Sequence, residues 1–157
     1  MKLRDLSLRY LTYRDRTEEE MRRYLRRKGF AAEETEAEIE ALRELRLLDD
    51  VRFARQYLAA SFARGRGLLR VRRELRQKGV GAFEIEDGEA AYEEEYGCSL
   101  AEEEPRRARQ AAEAFLSGSG KIDPKQLARL GRRLAGLGYE SRIIYDILGS
   151  YRRREEL

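Results

Sequence analysis

The segment Leu25-Arg26-Arg27-Lys28-Gly29-Phe30 returns as Leu75-Arg76-Gln77-Lys78-Gly79-Val80, and more loosely as Leu134-Ala135-Gly136-Leu137-Gly138-Tyr139. A chain that repeats one motif three times is constrained to build similar units that lean on one another, because a unit this short buries little apolar surface alone. Each copy has the chemistry of a helix end. The glycine takes the left-handed conformation that stops the helix, and the apolar residue after it packs back on the last turn. Lys28 and Lys78 stand where the helix dipole favours a cation.

The flanks of each glycine predict helices. Thr17 with Glu20 three residues on makes a capping box, after which Met21, Tyr24, Leu25 and Lys28 share a face. A further helix is expected from about Ala32 to Leu45, with Ile39 and Leu42 inward. In the second copy Phe53, Ala54, Tyr57, Leu58, Ser61 and Phe62 keep amphipathic spacing until Gly65 and Gly67, and Leu68, Val71 and Leu75 line the next helix. The third copy places Ala108, Ala111, Ala112, Phe115 and Leu116 on one stripe. Asp123-Pro124 then opens a helix carrying Leu127, Leu130, Leu134 and Leu137, and Ile143, Ile144, Ile147, Leu148 and Tyr151 form the last stripe. Gly88 is expected to interrupt the acidic helix around residues 82–95. The expected fold is all-α, three tandem three-helix repeats over residues 1–48, 49–98 and 99–157. Charged residues are 40% of the chain and hydrophobic ones 41%, which suits an elongated helical array better than one deep core.

Charge falls in blocks. Residues 50–79 carry nine basic and two acidic side chains, whereas residues 80–104 carry ten acidic and no basic ones. Such polarity suits phosphate or a charged protein groove. On a helical wheel Arg66, Arg70, Arg72, Arg73 and Arg76 lie opposite Leu68, Val71 and Leu75. Arginine forks fit phosphate oxygens and carboxylates alike. These five, with Lys78 and with Arg26, Arg27 and Lys28, are the candidate contact residues. Solvated helix faces, or pairing with the acidic stretch at 84–95, are the competing explanation. Asp50 is expected to cap the helix that follows it, and the nine tyrosines are expected to lie mostly in the core.

Several classes of chemistry lack their parts. There is no histidine, the commonest general base, and Cys98 is the only cysteine, so neither an intrachain disulfide nor a thiolate zinc cluster can form. Gly65-Arg66-Gly67 lacks the Lys-Ser/Thr ending of a phosphate loop. We expect no catalytic residue, no cofactor and no metal. The opening Met1-Lys2-Leu3-Arg4-Asp5 has no apolar signal core and no stretch has the length of a membrane span, so the expectation is a soluble cytoplasmic protein.

Three stretches resemble the RecX family. Arg16-Thr17-Glu18-Glu19-Glu20-Met21 leading to Tyr24-Leu25-Arg26-Arg27-Lys28-Gly29-Phe30 looks like its opening repeat. Leu42-Arg43-Glu44-Leu45-Arg46-Leu47-Leu48-Asp49-Asp50 with Arg52-Phe53-Ala54 resembles its repeat junction. Arg64-Gly65-Arg66-Gly67 with Arg70-Val71-Arg72-Arg73-Glu74-Leu75-Arg76-Gln77-Lys78-Gly79-Val80 is similar to its second-repeat signature. Leu68 stands where that pattern has proline. The resemblance covers residues 10–80 well and 127–148 loosely. It implies a curved, elongated repeat protein, a monomer, that binds the RecA recombinase filament on single-stranded DNA and lowers ATP hydrolysis, strand exchange and coprotease activity. It also allows contact with single- or double-stranded DNA phosphates without sequence preference. The alternative is a helix-turn-helix repressor on duplex DNA, for which the basic helix after Gly67 would be the reading element.

Overall fold

The computed structural model describes residues 2–155. Among them the regular structure is all helix: α1 (Leu3–Tyr13), α2 (Glu18–Arg27), α3 (Ala32–Glu44), α4 (Asp50–Ala63), α5 (Leu68–Gln77), α6 (Ala82–Tyr96), α7 (Leu100–Leu116), α8 (Pro124–Leu137) and α9 (Ser141–Glu155). The residues form two compact units. One holds the residues up to Tyr57 with Glu74–Tyr92, and the other holds Leu58–Arg73 with the residues from Glu93 on. The boundaries fall inside α4, α5 and α6.

In the first unit α2 begins at the expected capping box. The Thr17 hydroxyl accepts the Glu20 N–H at 3.0 Å, and Glu20 Oε1 accepts the Thr17 N–H at 3.0 Å. Met21, Leu25, Ile39, Leu42 and Leu48 are buried together, with Tyr10, Leu11, Tyr24 and Phe30 packed against them. The inner face of α3 also carries Glu38, which is buried and accepts from Arg4 Nη2 (2.8 Å) and from the Ser7 hydroxyl (2.7 Å). That network ties α1 to α3, since a buried carboxylate needs its partners. Tyr10 and Tyr24 stack with ring centroids 3.9 Å apart.

Gly88 does not interrupt α6. It is buried where α6 crosses α4, and a Cβ there would stand 2.6 Å from the Ala54 Cβ. The missing side chain lets the helices approach, and helical geometry itself tolerates glycine at a cost of only about 1 kcal/mol.

In the second unit α7, α8 and α9 pack on one another around Ala108, Ala112, Leu116, Leu127, Leu130, Leu134, Leu137, Tyr139, Ile143, Ile144, Ile147 and Leu148. Asp123 caps α8 with Gln126 completing the box, and Pro124 is the first helical residue. Phe115, expected on the buried stripe, is 39% exposed. The shallow alanine face of α7 fills the core without it. The tyrosines also depart from expectation. Of the nine, Tyr139 is buried, while Tyr13, Tyr96 and Tyr145 are exposed and the rest are half-buried.

The glycine caps do more than end helices. The Gly79 Cα faces α2 so closely that a Cβ would stand 2.2 Å from the Glu19 Cβ, and at Gly138 a Cβ would stand 2.3 Å from the Arg70 Cβ of α5. In each unit the cap of a later repeat therefore seats on the first turn of the preceding repeat's second helix. Gly29, with φ +95°, has the same backbone but no atom within 4 Å of its missing side chain.

Candidate functional site

The basic helix α5 is held at its start by the second unit. The N–H groups of Gly67 and Leu69 donate to the carbonyls of Leu137 (2.7 Å) and Gly138 (3.1 Å) at the end of α8. The Leu68 N–H donates to Glu104 Oε1 of α7 at 2.8 Å. Glu104 is buried and its other oxygen accepts from Arg107 Nη2 at 2.5 Å, while the Arg107 guanidinium lies 3.8 Å from the centroid of the Phe62 ring. The Tyr139 hydroxyl donates to the Gly65 carbonyl at 2.6 Å. Burial, followed by the nearby Glu104 charge, pushes the Tyr139 hydroxyl up to about 12, so it stays a donor. The orphan donors of a helix start are thus met by neighbouring elements.

The candidate contact residues separate into three settings. Arg73 and Arg76 are exposed on α5, away from buried Leu68, Val71 and Leu75. Arg66, Arg70 and Arg72 are half-buried and engage neighbouring groups. Arg70 lies under Gly138 and its Nη1 donates to the Gly136 carbonyl at 3.4 Å. Lys78 is half-buried, its carbonyl accepts the Thr17 hydroxyl at 2.7 Å, and its ammonium lies 5.6 Å from the Tyr57 ring centroid. Arg26, Arg27 and Lys28 are exposed at the end of α2, with Lys28 Nζ 5.6 Å from the Tyr24 ring centroid. Arg66, Arg70, Arg72 and Arg73 belong to the second unit, and Arg26, Arg27, Lys28, Arg76 and Lys78 to the first.

A helix-turn-helix protein inserts the start of its reading helix into the groove. Here Gly67 and Leu68 are buried and their N–H groups are engaged by α8 and α7. That end of α5 is not presented for base contacts.

The repeat junction differs from expectation. Asp49, not Asp50, caps α4, its Oδ1 accepting the Arg52 N–H at 3.0 Å. Asp50 turns to α2 instead and accepts the Glu18 N–H at 3.0 Å. It borders a hollow of about 360 Å³ lined by Glu18, Arg43, Arg46, Leu48, Asp49, Val51 and Glu84. Burial drives its carboxyl up to about 6. The Glu18 N–H opposes that rise, and the charges of Glu18, Glu84 and Asp49 add to it. A folded value above the unfolded one means stability is greatest with the group protonated. Its contribution is complete below about pH 4 and disappears as pH rises through 6, on the order of 2 kcal/mol. Asp50→Asn keeps the acceptor and removes the charge. Its melting temperature should exceed that of the parent at pH 7, and the difference should shrink as pH falls through 6 and vanish only near pH 4. Parallel curves between those values would show that the Asp50 charge carries no such cost.

Among the described residues no group of three His, Cys, Asp or Glu side chains could hold a metal ion, and no helix is long and apolar enough to cross a membrane.

Residues 4–42 match the RecX first three-helix domain and residues 49–88 match the RecX second three-helix domain. The regulatory protein RecX of Mycolicibacterium smegmatis is 30% identical over 155 residues, covering 92% of this chain and 77% of that protein. The chain belongs to the RecX family. The regulatory protein RecX of Chromohalobacter salexigens is 32% identical over 139 residues, 87% of this chain and 84% of its own. Alignments with two further RecX proteins span 60% and 53% of those proteins. A crystal structure of RecX from Lactobacillus salivarius has the same fold, with a TM-score of 0.75 over 94% of this chain and 92% of that one at 21% identity. Membership places the chain among regulatory proteins built from tandem three-helix domains; the first matched region takes in nearly all of α1–α3, and the second takes in α4, α5 and the first half of α6. The buried ties Glu38–Arg4 and Glu104–Leu68 had no sequence motif, although Glu38 shares the helical face of Thr35, Ile39 and Leu42.

Proposed function

We propose that this RecX-family chain binds the RecA recombinase filament on single-stranded DNA and lowers its ATPase, strand-exchange and coprotease activities. It acts in the cytoplasm by stoichiometric binding rather than catalysis, in control of DNA repair, recombination and the SOS response. The observation that carries the reading is the relation to regulatory RecX proteins across both matched three-helix domains. The three repeats, residues 1–48, 49–98 and 99–157, are its modular plan, and the chain works as a monomer. The exposed guanidinium groups of Arg73 and Arg76 on α5 support the choice of contact surface, since planar forks pair with carboxylates and phosphates. Arg26, Arg27 and Lys28 extend the candidate set. Arg66, Arg70, Arg72 and Lys78 have packing roles as well, so their replacement tests stability together with binding.

The test is the single-stranded-DNA-dependent ATPase rate of the cognate RecA, titrated with this chain. The rate should fall at amounts well below those of RecA. Arg73→Glu/Arg76→Glu should weaken that inhibition at least about tenfold while the helical circular-dichroism signal is kept. Full inhibition by the double variant would remove this surface from the reading. No inhibition by the parent chain would reject the filament reading itself. Site-selective binding to duplex DNA would then favour the repressor.

A further inference from the structure

The third repeat lacks the arginine and glutamate with which the first two repeats can bridge their second and third helices. Seven residues before the cap glycines stand Arg22, Arg72 and Gly131, and seven residues after them stand Glu36, Glu86 and Tyr145. In the first repeat Arg22 and Glu36 join α2 to α3 by an ion pair, with Nη2 to Oε2 at 3.1 Å. In the third repeat the same register carries no side chain on α8 and an aromatic ring on α9. Three residues before the glycines the change is similar, from Arg26 and Arg76 to Ala135. The α8–α9 seam is accordingly a hollow of about 380 Å³. Its floor is Leu127, Ala128, Gly131, Ala135, Ile144 and Leu148. Tyr145, 71% exposed, forms a wall, and Arg132 and Arg152 border it. Among the described residues no carboxylate lines it.

We propose that this groove receives an amphipathic helix of a protein partner, with apolar residues on its inward stripe and acidic residues beside them. Pro124 to Ala135 spans about 17 Å of α8, three helical turns, which matches the i, i+4, i+7 stripe of a short helix. The small residues on α8 supply depth for aliphatic side chains. Arg132 and Arg152 supply charge complementarity, and the forks reach carboxylates on a helix lying between them. The register change explains why the site belongs to this repeat: an Arg–Glu pair at Gly131 and Tyr145 would fill the hollow with charge. The proposal stands apart from the filament reading, and its test contains no RecA.

The full chain is titrated into a fluorescein-labelled helical peptide of about 15 residues, with leucines at i, i+4 and i+7 flanked by glutamates, and anisotropy is followed. Saturable binding is expected, at least about tenfold tighter than to the same peptide with lysines for glutamates. Arg132→Glu/Arg152→Glu should reverse that preference. Tyr145→Glu, at an exposed position, should weaken the acidic peptide about tenfold with the melting temperature unchanged. Equal binding of both peptides, binding of neither, or indifference to the charge reversal overturns the proposal. So does light scattering that finds the parent dimeric and the reversed variant monomeric, because the occupant is then a second copy.

Discussion

Gly138→Ala is expected to lower the melting temperature by roughly 10 °C, a loss of about 3 kcal/mol, without changing the native helix content. Two costs combine. At φ +100° a Cβ meets its own backbone, worth about 1–2 kcal/mol. The new methyl would also stand 2.3 Å from the Arg70 Cβ and 2.6 Å from the Arg70 nitrogen, so the first turn of α5 must move. Two further glycines separate these costs. Gly29→Ala has the left-handed backbone, φ +95°, and open space, and should lose only about 1–2 kcal/mol. At Gly67 the crowding stands alone, since a Cβ would meet the Gly138 carbonyl oxygen at 2.5 Å, and Gly67→Ala should lose about 2 kcal/mol. Thermal unfolding followed by circular dichroism reads all three. Equal losses at Gly138 and Gly29 would mean that close approach to α5 contributes nothing.

The second large effect is expected at Glu104. Glu104→Ala leaves the Arg107 guanidinium buried without its countercharge and the Leu68 N–H without its acceptor. A buried ion pair broken from one side costs about 3–5 kcal/mol, because the remaining charge is stranded in a poorly solvated place. The melting temperature should fall by at least about 10 °C. Glu104→Gln, which keeps a carbonyl oxygen for Leu68, should fall about half as far. Replacing both partners, as Glu104→Leu with Arg107→Met, should recover most of the loss caused by Glu104→Ala, since no charge is left unpaired. A double variant no better than Glu104→Ala would show that the helix-start hydrogen bond, and not the ion pair, carries the effect.

The two predictions concern parts of the molecule that were unequally legible. Gly138 could be read as a helix cap from Leu134, Leu137 and Tyr139 around it, because a cap is made by residues within one turn. Its second duty, as the seat for Arg70, could not be read, because Arg70 is far from it along the chain. Glu104 carried no signal at all: in the sequence it is one of three successive glutamates, and only packing selects it for burial over Glu102 and Glu103. The junction shows the same limit. Adjacent aspartates before a helix announce a cap, but which one turns to α4 and which to α2 depends on where α2 lies. The basic face of α5 was legible as a stripe, and three of its five arginines proved to be half-buried because neighbouring elements cover them.

By itself the sequence determined the all-helical class, the capping box at Thr17, the Asp123-Pro124 helix start, the glycine stops and the buried stripes of α2, α5 and α8. All of these are set by interactions within about four residues, and helical periodicity writes such interactions into the order of the chain. Only the tertiary structure decided what each cap sits on, which carboxylates are buried, which arginines remain exposed, and that Gly131 and Tyr145 leave a hollow. Those outcomes depend on atoms brought together from distant positions. A glutamate on a helix face looks the same in the sequence whether water or another helix covers it.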